Sequence, residues 1–126
     1  MTSTLRQLEI KTRLWHIQAA CEKILRLTAG KTLDEYVVDD VLPDVVERRL
    51  TIVGEAVGKI AALDKELAAQ IGNFPRIIAF RNHLVHNYPN VEHDAVWLIV
   101  QSELPILLQR VRELLATPDP IPPEPA

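Results

Sequence analysis

Residues 80–88 read FRNHLVHNY and concentrate the polar chemistry of the chain in one short stretch. A guanidinium, an amide, two imidazoles and a phenol occur together there, contributed by Arg81, Asn82, His83, His86 and Tyr88. Arginine is permanently charged and its planar fork matches phosphate oxygens, while histidine exchanges a proton near neutral pH. The stretch therefore indicates nucleotide binding or phosphodiester chemistry.

The residues around this stretch predict that it lies on a helix. Pro75 is typical of the first turn of a helix, and Pro89 predicts its end at Tyr88, whose side chain is then expected to be reachable from outside. Arg81 and His86 are five positions apart, about 140° around an ideal helix, so they do not share one narrow face. Two arrangements bring them together: fraying of the last turn, or a two-fold dimer in which the motif helices of both subunits meet.

Apolar spacing predicts further helices on both sides of the motif helix. A long helix is expected over residues 3–29, with Gly30 at its end. Its predicted apolar stripe consists of Ile10, Leu14, Ile17, Cys21, Ile24 and Thr28. Thr32 opens a short helix with capping-box spacing. A second long helix is predicted over residues 43–71, and a last one over 93–116 with a kink at Pro105. The buried face of the second long helix is expected to consist of Val46, Leu50, Val53, Val57 and Ile60.

Two glycines inside the second long helix need an explanation. Gly54 and Gly58 lie four positions apart, and each costs about 1 kcal/mol relative to alanine in a helix. Close approach of a neighbouring helix, or of another subunit's backbone, would offset that cost. The alternative is that both are tolerated surface glycines.

The sequence contains no repeat and no strand-like alternation. It predicts an all-α fold, an antiparallel bundle of four main helices plus one short helix. One domain is expected over residues 1–116. Residues 117–126 contain five prolines and are expected to form a solvated tail.

Composition restricts the possible functions. The chain has 126 residues, 48% of them hydrophobic, and a net charge of −3, so any contact with RNA must be local. The single cysteine, Cys21, excludes an internal disulfide and a cysteine-based zinc site, and is expected to be buried. No signal peptide or membrane span is visible, and we expect a cytoplasmic protein.

Arg81, His86 and Tyr88 spell R-x-x-x-x-H-x-Y, preceded by an apolar helical run and followed by a turn. This resembles the signature of the HEPN superfamily, in particular the HepT toxins of HEPN–nucleotidyltransferase toxin–antitoxin pairs. The flanking segments at residues 20–56 and 91–111 are also similar to that family. The resemblance covers about residues 10–115.

The resemblance implies a metal-independent endoribonuclease toxin of a type VII-like pair, acting as a homodimer with a composite cleft. It implies that His86 is the general acid or base, that Arg81 stabilises charge on the phosphorane, and that Asn82 positions the substrate or holds Arg81. His83 matches no fixed motif position and receives no role. Tyr88 resembles the tyrosine to which a partner nucleotidyltransferase antitoxin attaches AMP, which would fill the phosphate site and exclude RNA.

Other interpretations remain open. Taken alone, Arg and His near a helix end also fit solvated groups at the negative end of the helix dipole. A non-catalytic helical module that binds a nucleotide or the nucleotidyltransferase is the main alternative, since Phe80 and Asn87 stand where the family often has glycine. His83, His86 and His93 lack the spacing of a zinc site, so we expect neither a metal nor a cofactor.

Overall fold

The computed structural model describes residues 2–86 and 92–117, and every regular element in these ranges is an α-helix. The all-α prediction is therefore confirmed. In chain order the helices are α1 (Ser3–Thr28), α2 (Leu33–Val38), α3 (Leu42–Leu63), α4 (Lys65–Ile71), α5 (Phe74–Val85), α6 (His93–Ser102) and α7 (Leu104–Ala116). The predicted proline-rich tail lies outside the described residues from position 118 onward.

Helix α1 follows its sequence pattern closely. Its buried residues include the whole predicted stripe, Ile10, Leu14, Ile17, Cys21, Ile24 and Thr28. The helix is capped by Thr2, whose hydroxyl accepts from the backbone N–H of Leu5 at 3.1 Å. Gly30 just beyond the helix has a φ of 74°, the left-handed conformation that glycine adopts at little cost.

Helix α2 is short and is fixed by its cap and by one buried ring. The predicted capping box is present: the Thr32 hydroxyl accepts from the Glu35 N–H at 3.2 Å, and the Glu35 carboxylate accepts from the Thr32 N–H at 3.0 Å. Tyr36 is fully buried and packs on α6, with its ring centroid 5.1 Å from Trp97 and 5.9 Å from His93. This contact ties the start of α6 to α2.

The single helix predicted over residues 43–71 is wrong, because the chain breaks at Asp64. That residue has an extended backbone, and its carboxylate accepts from the N–H of Leu67 at 3.0 Å, which caps a separate helix α4. Within α3 the predicted apolar face is confirmed. Val46, Leu50, Val53, Val57 and Ile60 are all buried.

The last helix is divided at the position where a kink was predicted. Pro105 lies in the first turn of α7, where its missing N–H costs no helical hydrogen bond. Glu103 joins the two halves, since its N–H donates to the carbonyl of Ile99 at 2.9 Å and its carbonyl accepts from Leu107 at 3.0 Å. Helices α6 and α7 therefore continue one another through a bend.

Helix α3 is the centre of the bundle, since it packs against α1 and against α5. Helix α7 covers another side of α1. The core between them is apolar and includes Cys21, which is completely buried. Burial raises the pKa of its thiol to about 12, so the group is neutral at physiological pH. Cys21 is thus a packing residue, as predicted.

Candidate active site

Helix α5 carries the motif, and its first residue is Phe74, one position before Pro75. Asn73 caps it by accepting from the N–H of Arg76 at 3.2 Å, and Pro75 sits in the first turn. The helix ends at Val85, three residues before the predicted end. Tyr88 and Asn87 lie outside the described residues, so the prediction for the phenol stays a prediction.

Arg81 sits at the closest approach between α5 and α3. A β-carbon built at Gly54 would lie 2.6 Å from Cγ of Arg81 and closer still to its Cβ. Only glycine fits there, so Gly54 is explained by a neighbouring helix of the same chain. At Gly58 the nearest atoms belong to Ile78 at 3.8 Å, an ordinary contact that an alanine would tolerate. The helix contact therefore requires glycine at position 54 but not at position 58.

The guanidinium of Arg81 is held by two hydrogen bonds. Nη1 donates to Oδ1 of Asn82 at 3.0 Å, and Nη2 donates to Oε1 of Glu55 at 3.1 Å. Nε is buried and has no hydrogen-bond partner among the described residues. The side chains of Arg81 and Glu55 are 30% and 45% exposed, so their ion pair adds only about 0.2–1 kcal/mol to stability.

His86 lies at the end of the same helix and is exposed. Its backbone N–H donates to the carbonyl of Asn82 at 3.1 Å, so the helical turn is intact up to this residue. The last turn is therefore not frayed, and Arg81 and His86 leave the helix axis about 140° apart. One subunit by itself presents the two side chains in different directions.

The remaining predicted groups add little to this picture. His83 is exposed in the last turn of α5, one helical turn before His86. Among residues 2–86 and 92–117, no three His, Cys, Asp or Glu side chains come together as a possible metal site. The polar groups of the candidate site are thus Arg81, Asn82, His86 and Glu55.

Sequence reasoning missed Glu55. It belongs to the exposed pattern of α3 and lies 26 positions from Arg81, so no local spacing connects the two. The available signal was its neighbour, because a glycine in the middle of a helix indicates close approach of another element. For Gly54 a close approach was one of two open interpretations, and the sequence did not identify the partner.

A groove opens on another side of α5, towards α6 and α7. It has a volume of about 510 Å³ and is lined mainly by apolar side chains, including Phe80, Ile77 and Ile106. Arg76 and Glu103 close one part of its rim with an ion pair of 2.7 Å. Neither Arg81 nor His86 lines it, so the groove is separate from the candidate site.

Comparison with known proteins gives a consistent result. The sequence profile of the family described as "Ribonuclease HepT-like" matches residues 17–114. A protein of Caldanaerobacter subterraneus subsp. tengcongensis named "Putative RNase TTE0752" is 33% identical over 104 residues, covering 81% of this chain and 90% of the relative. "Putative RNase MJ0125" of Methanocaldococcus jannaschii is 26% identical over 107 residues, covering 85% and 91%.

A third relative is longer. "Gamma-glutamylcyclotransferase and putative RNase MJ0434" of Methanocaldococcus jannaschii is 28% identical over 109 residues, which cover 85% of this chain and 48% of the relative. No solved structure matches the sequence. None of the helices described in residues 2–86 and 92–117 combines the length and the apolar character that crossing a membrane requires.

Proposed function

Since the chain belongs to the Ribonuclease HepT-like family, we propose that it is a metal-independent endoribonuclease that acts as the toxin of a toxin–antitoxin pair. The observation that carries the proposal is the placement of Arg81. The base of its side chain packs against α3 at Gly54, and its guanidinium pairs with Glu55 near the surface of the helix that also carries His86. A fixed arginine beside an exposed imidazole fits phosphodiester cleavage.

The reaction uses the RNA's own 2′-hydroxyl as nucleophile. His86 takes the proton as the 2′-oxygen bonds to the adjacent phosphorus, the bond from phosphorus to the 5′-oxygen breaks, and a protonated imidazole returns a proton to the leaving oxygen. General acid–base catalysis of this kind contributes about 10²–10⁴-fold. Arg81 stabilises the charge that develops on the phosphorane oxygens.

A homodimer brings the two groups to one phosphate. The intact turn between Asn82 and His86 directs Arg81 and His86 apart within one subunit, which supports an arrangement in which Arg81 of one subunit faces His86 of the other. Such a cleft contains two arginines and two histidines, with the carboxylate of Glu55 beside each arginine.

The antitoxin in this proposal is a nucleotidyltransferase that transfers AMP to Tyr88. Tyr88 follows His86 by two positions, so a phosphate attached to its phenol would lie near the groups that bind RNA phosphate. The added negative charge and bulk would exclude the substrate. Tyr88 is therefore a regulatory acceptor in this scheme.

The second candidate function is a non-catalytic module that binds a nucleotide or the nucleotidyltransferase. One observation favours it: the charge of Arg81 is already balanced by Glu55, as in a structural ion pair. The two functions differ in whether the protein alone cleaves RNA, and that difference can be measured.

The test is RNA cleavage by the purified protein in EDTA. The wild type should cut RNA, and Arg81→Ala or His86→Ala should each reduce the rate by about 10²-fold or more. His83→Ala, on the same helix, is the matched control and should retain activity. An inactive wild type, or mutants as active as the wild type, would contradict the ribonuclease.

The modification is tested separately. Intact-mass spectrometry after incubation with ATP and a candidate nucleotidyltransferase should show AMP-sized increments that disappear in Tyr88→Phe. Tyr36→Phe is the control, since Tyr36 is fully buried. Increments that survive Tyr88→Phe would remove Tyr88 from the scheme.

A further inference from the structure

The contacts of Arg81 restrict how a phosphate can reach it. A guanidinium carries one N–H on Nε and two on each terminal nitrogen. Nε is buried, so the side-on fork formed by Nε and Nη2 is closed to an outside ligand. Nη1 gives one hydrogen to Asn82 and Nη2 gives one to Glu55, which leaves one hydrogen on each terminal nitrogen. A ligand from outside can therefore reach Arg81 only through a hydrogen that remains on Nη1 or Nη2.

Glu55 and Asn82 together restrain the plane of the guanidinium. Asn82 alone is a weak restraint, because it is the exposed neighbour of Arg81 on the same helix. Glu55 lies on α3, and its contact with Nη2 joins two helices across the tight crossing at Gly54. The backbone approach at Gly54 brings the carboxylate within 3.1 Å of Nη2, so the glycine and the glutamate act on the same side chain.

We propose that Glu55 is a positioning residue that holds Arg81 so that the remaining N–H groups of its terminal nitrogens meet the RNA phosphate. This inference rests on the proposed ribonuclease function. Glu55 does not touch the substrate; it lowers the freedom of a side chain whose misplacement by about 1 Å can cost on the order of 10²-fold in rate. Since both side chains of the ion pair are partly exposed to solvent, its loss should affect catalysis more than stability.

The experiment compares three variants of the full chain by kcat, KM and melting temperature. Glu55→Ala should lower kcat by about tenfold to a hundredfold with little change in KM and in melting temperature. Glu55→Gln keeps an oxygen that accepts from Nη2, so it should recover most of kcat. In an Arg81→Ala background, Glu55→Ala should cause no further loss, because the two residues act as one unit.

Glu22 provides the matched control. Its carboxylate accepts from Nη2 of Arg112 at the same distance of 3.1 Å, and the two side chains are 42% and 48% exposed. Glu22→Ala therefore removes an equivalent surface ion pair away from the motif, and kcat should not change. A similar loss of kcat in both variants would show a general effect of losing an ion pair and overturn the proposal.

A second readout is independent of RNA cleavage. The Nε–H resonance of Arg81 in a ¹⁵N-labelled sample should be resolved and protected from exchange in the wild type and in Glu55→Gln. In Glu55→Ala it should move to the position of a mobile arginine. If the wild type does not cut RNA, the ribonuclease proposal fails, while this spectrum still decides whether Glu55 holds Arg81.

Three outcomes would overturn the assignment. An unchanged Arg81 resonance in Glu55→Ala means that the carboxylate does not hold the side chain. A lower KM at unchanged kcat in Glu55→Ala means that Glu55 only competes with the RNA phosphate for binding to Arg81. A loss in kcat accompanied by an equal loss in Glu55→Gln means that the negative charge, and not the hydrogen bond, is required.

Discussion

Helix α3 has two unlike neighbours, and the difference separates stability from function. Towards α1 it contributes to an apolar core in which Ile17, Cys21 and Val57 are completely buried. Towards α5 it offers Gly54, where the absence of a side chain admits Arg81, and an exposed ion pair at the rim. Close packing of apolar side chains stabilises the contact with α1. The contact with α5 instead requires that position 54 carries no side chain.

The largest expected effect is on the α1 side. Ile17→Ala should lower the free energy of unfolding by about 2–5 kcal/mol, because it leaves a cavity in the core. Chemical denaturation measures this change. At a temperature where the variant is still folded, RNA cleavage per molecule should match the wild type; a folded variant without activity would contradict the separation of the two contacts.

The next effect is on the α5 side. Gly54→Ala forces a methyl group against Arg81, and overpacking of this kind costs about 1–3 kcal/mol, partly offset by a gain of about 1 kcal/mol in helix propensity. This clash can be relieved only by moving Arg81 or α5. We therefore expect a clear loss of cleavage rate even under conditions where the variant is still folded. Wild-type cleavage by Gly54→Ala would show that the close approach is not required.

The pH dependence of stability sharpens the description of the core. The thiol of Cys21 has a folded pKa of about 12, raised by burial above its ordinary value of 9.0. The unfolded chain therefore loses this proton first as pH rises, and stability should fall above pH 9 by up to about 1.4 kcal/mol per pH unit. Below pH 9 this contribution is fully present.

Cys21→Ala is the control for that measurement. Its unfolding free energy, followed between pH 8 and pH 10, should lack the part of the slope that the thiol supplies. Burial also raises the pKa of Tyr36 above its ordinary value of 10.0, so the comparison is best made below pH 10. Equal slopes in both proteins would contradict a buried, neutral thiol.

The smallest effect has the opposite sign. Gly58→Ala should stabilise the protein by up to about 1 kcal/mol, because the new methyl group meets only Ile78 at an ordinary contact distance. Cleavage should be unchanged. Since Gly58 lies one helical turn from Gly54, destabilisation here would show that the whole α3–α5 contact, and not the Arg81 position alone, requires glycine.

Local patterns predicted most of the fold, and long-range contacts account for what they missed. The stripe of α1, the capping box of α2 and the bend at Pro105 are encoded in residues close together in sequence, so they were predictable. The break at Asp64 was missed because apolar spacing continues across it, although aspartate is a common helix cap.

The candidate site shows the same limit. The motif residues on α5 were identified from their chemistry, and Gly54 from the cost of glycine in a helix. Glu55 could not be found, because its pairing with Arg81 depends on how α3 crosses α5 rather than on any spacing along the chain. Hydrophobic periodicity identifies which face of a helix is buried. It does not identify which residue of another helix contacts a given side chain.

The composite cleft is tested most directly by refolding Arg81→Ala and His86→Ala subunits together and assaying RNA cleavage in EDTA. Each variant alone should cut RNA at least about 10²-fold more slowly than the wild type. If Arg81 of one subunit works with His86 of the other, mixed dimers contain one intact pair and the mixture should regain part of the wild-type rate. A mixture as inactive as its parents, alongside refolded wild type that cuts RNA, would contradict the shared cleft.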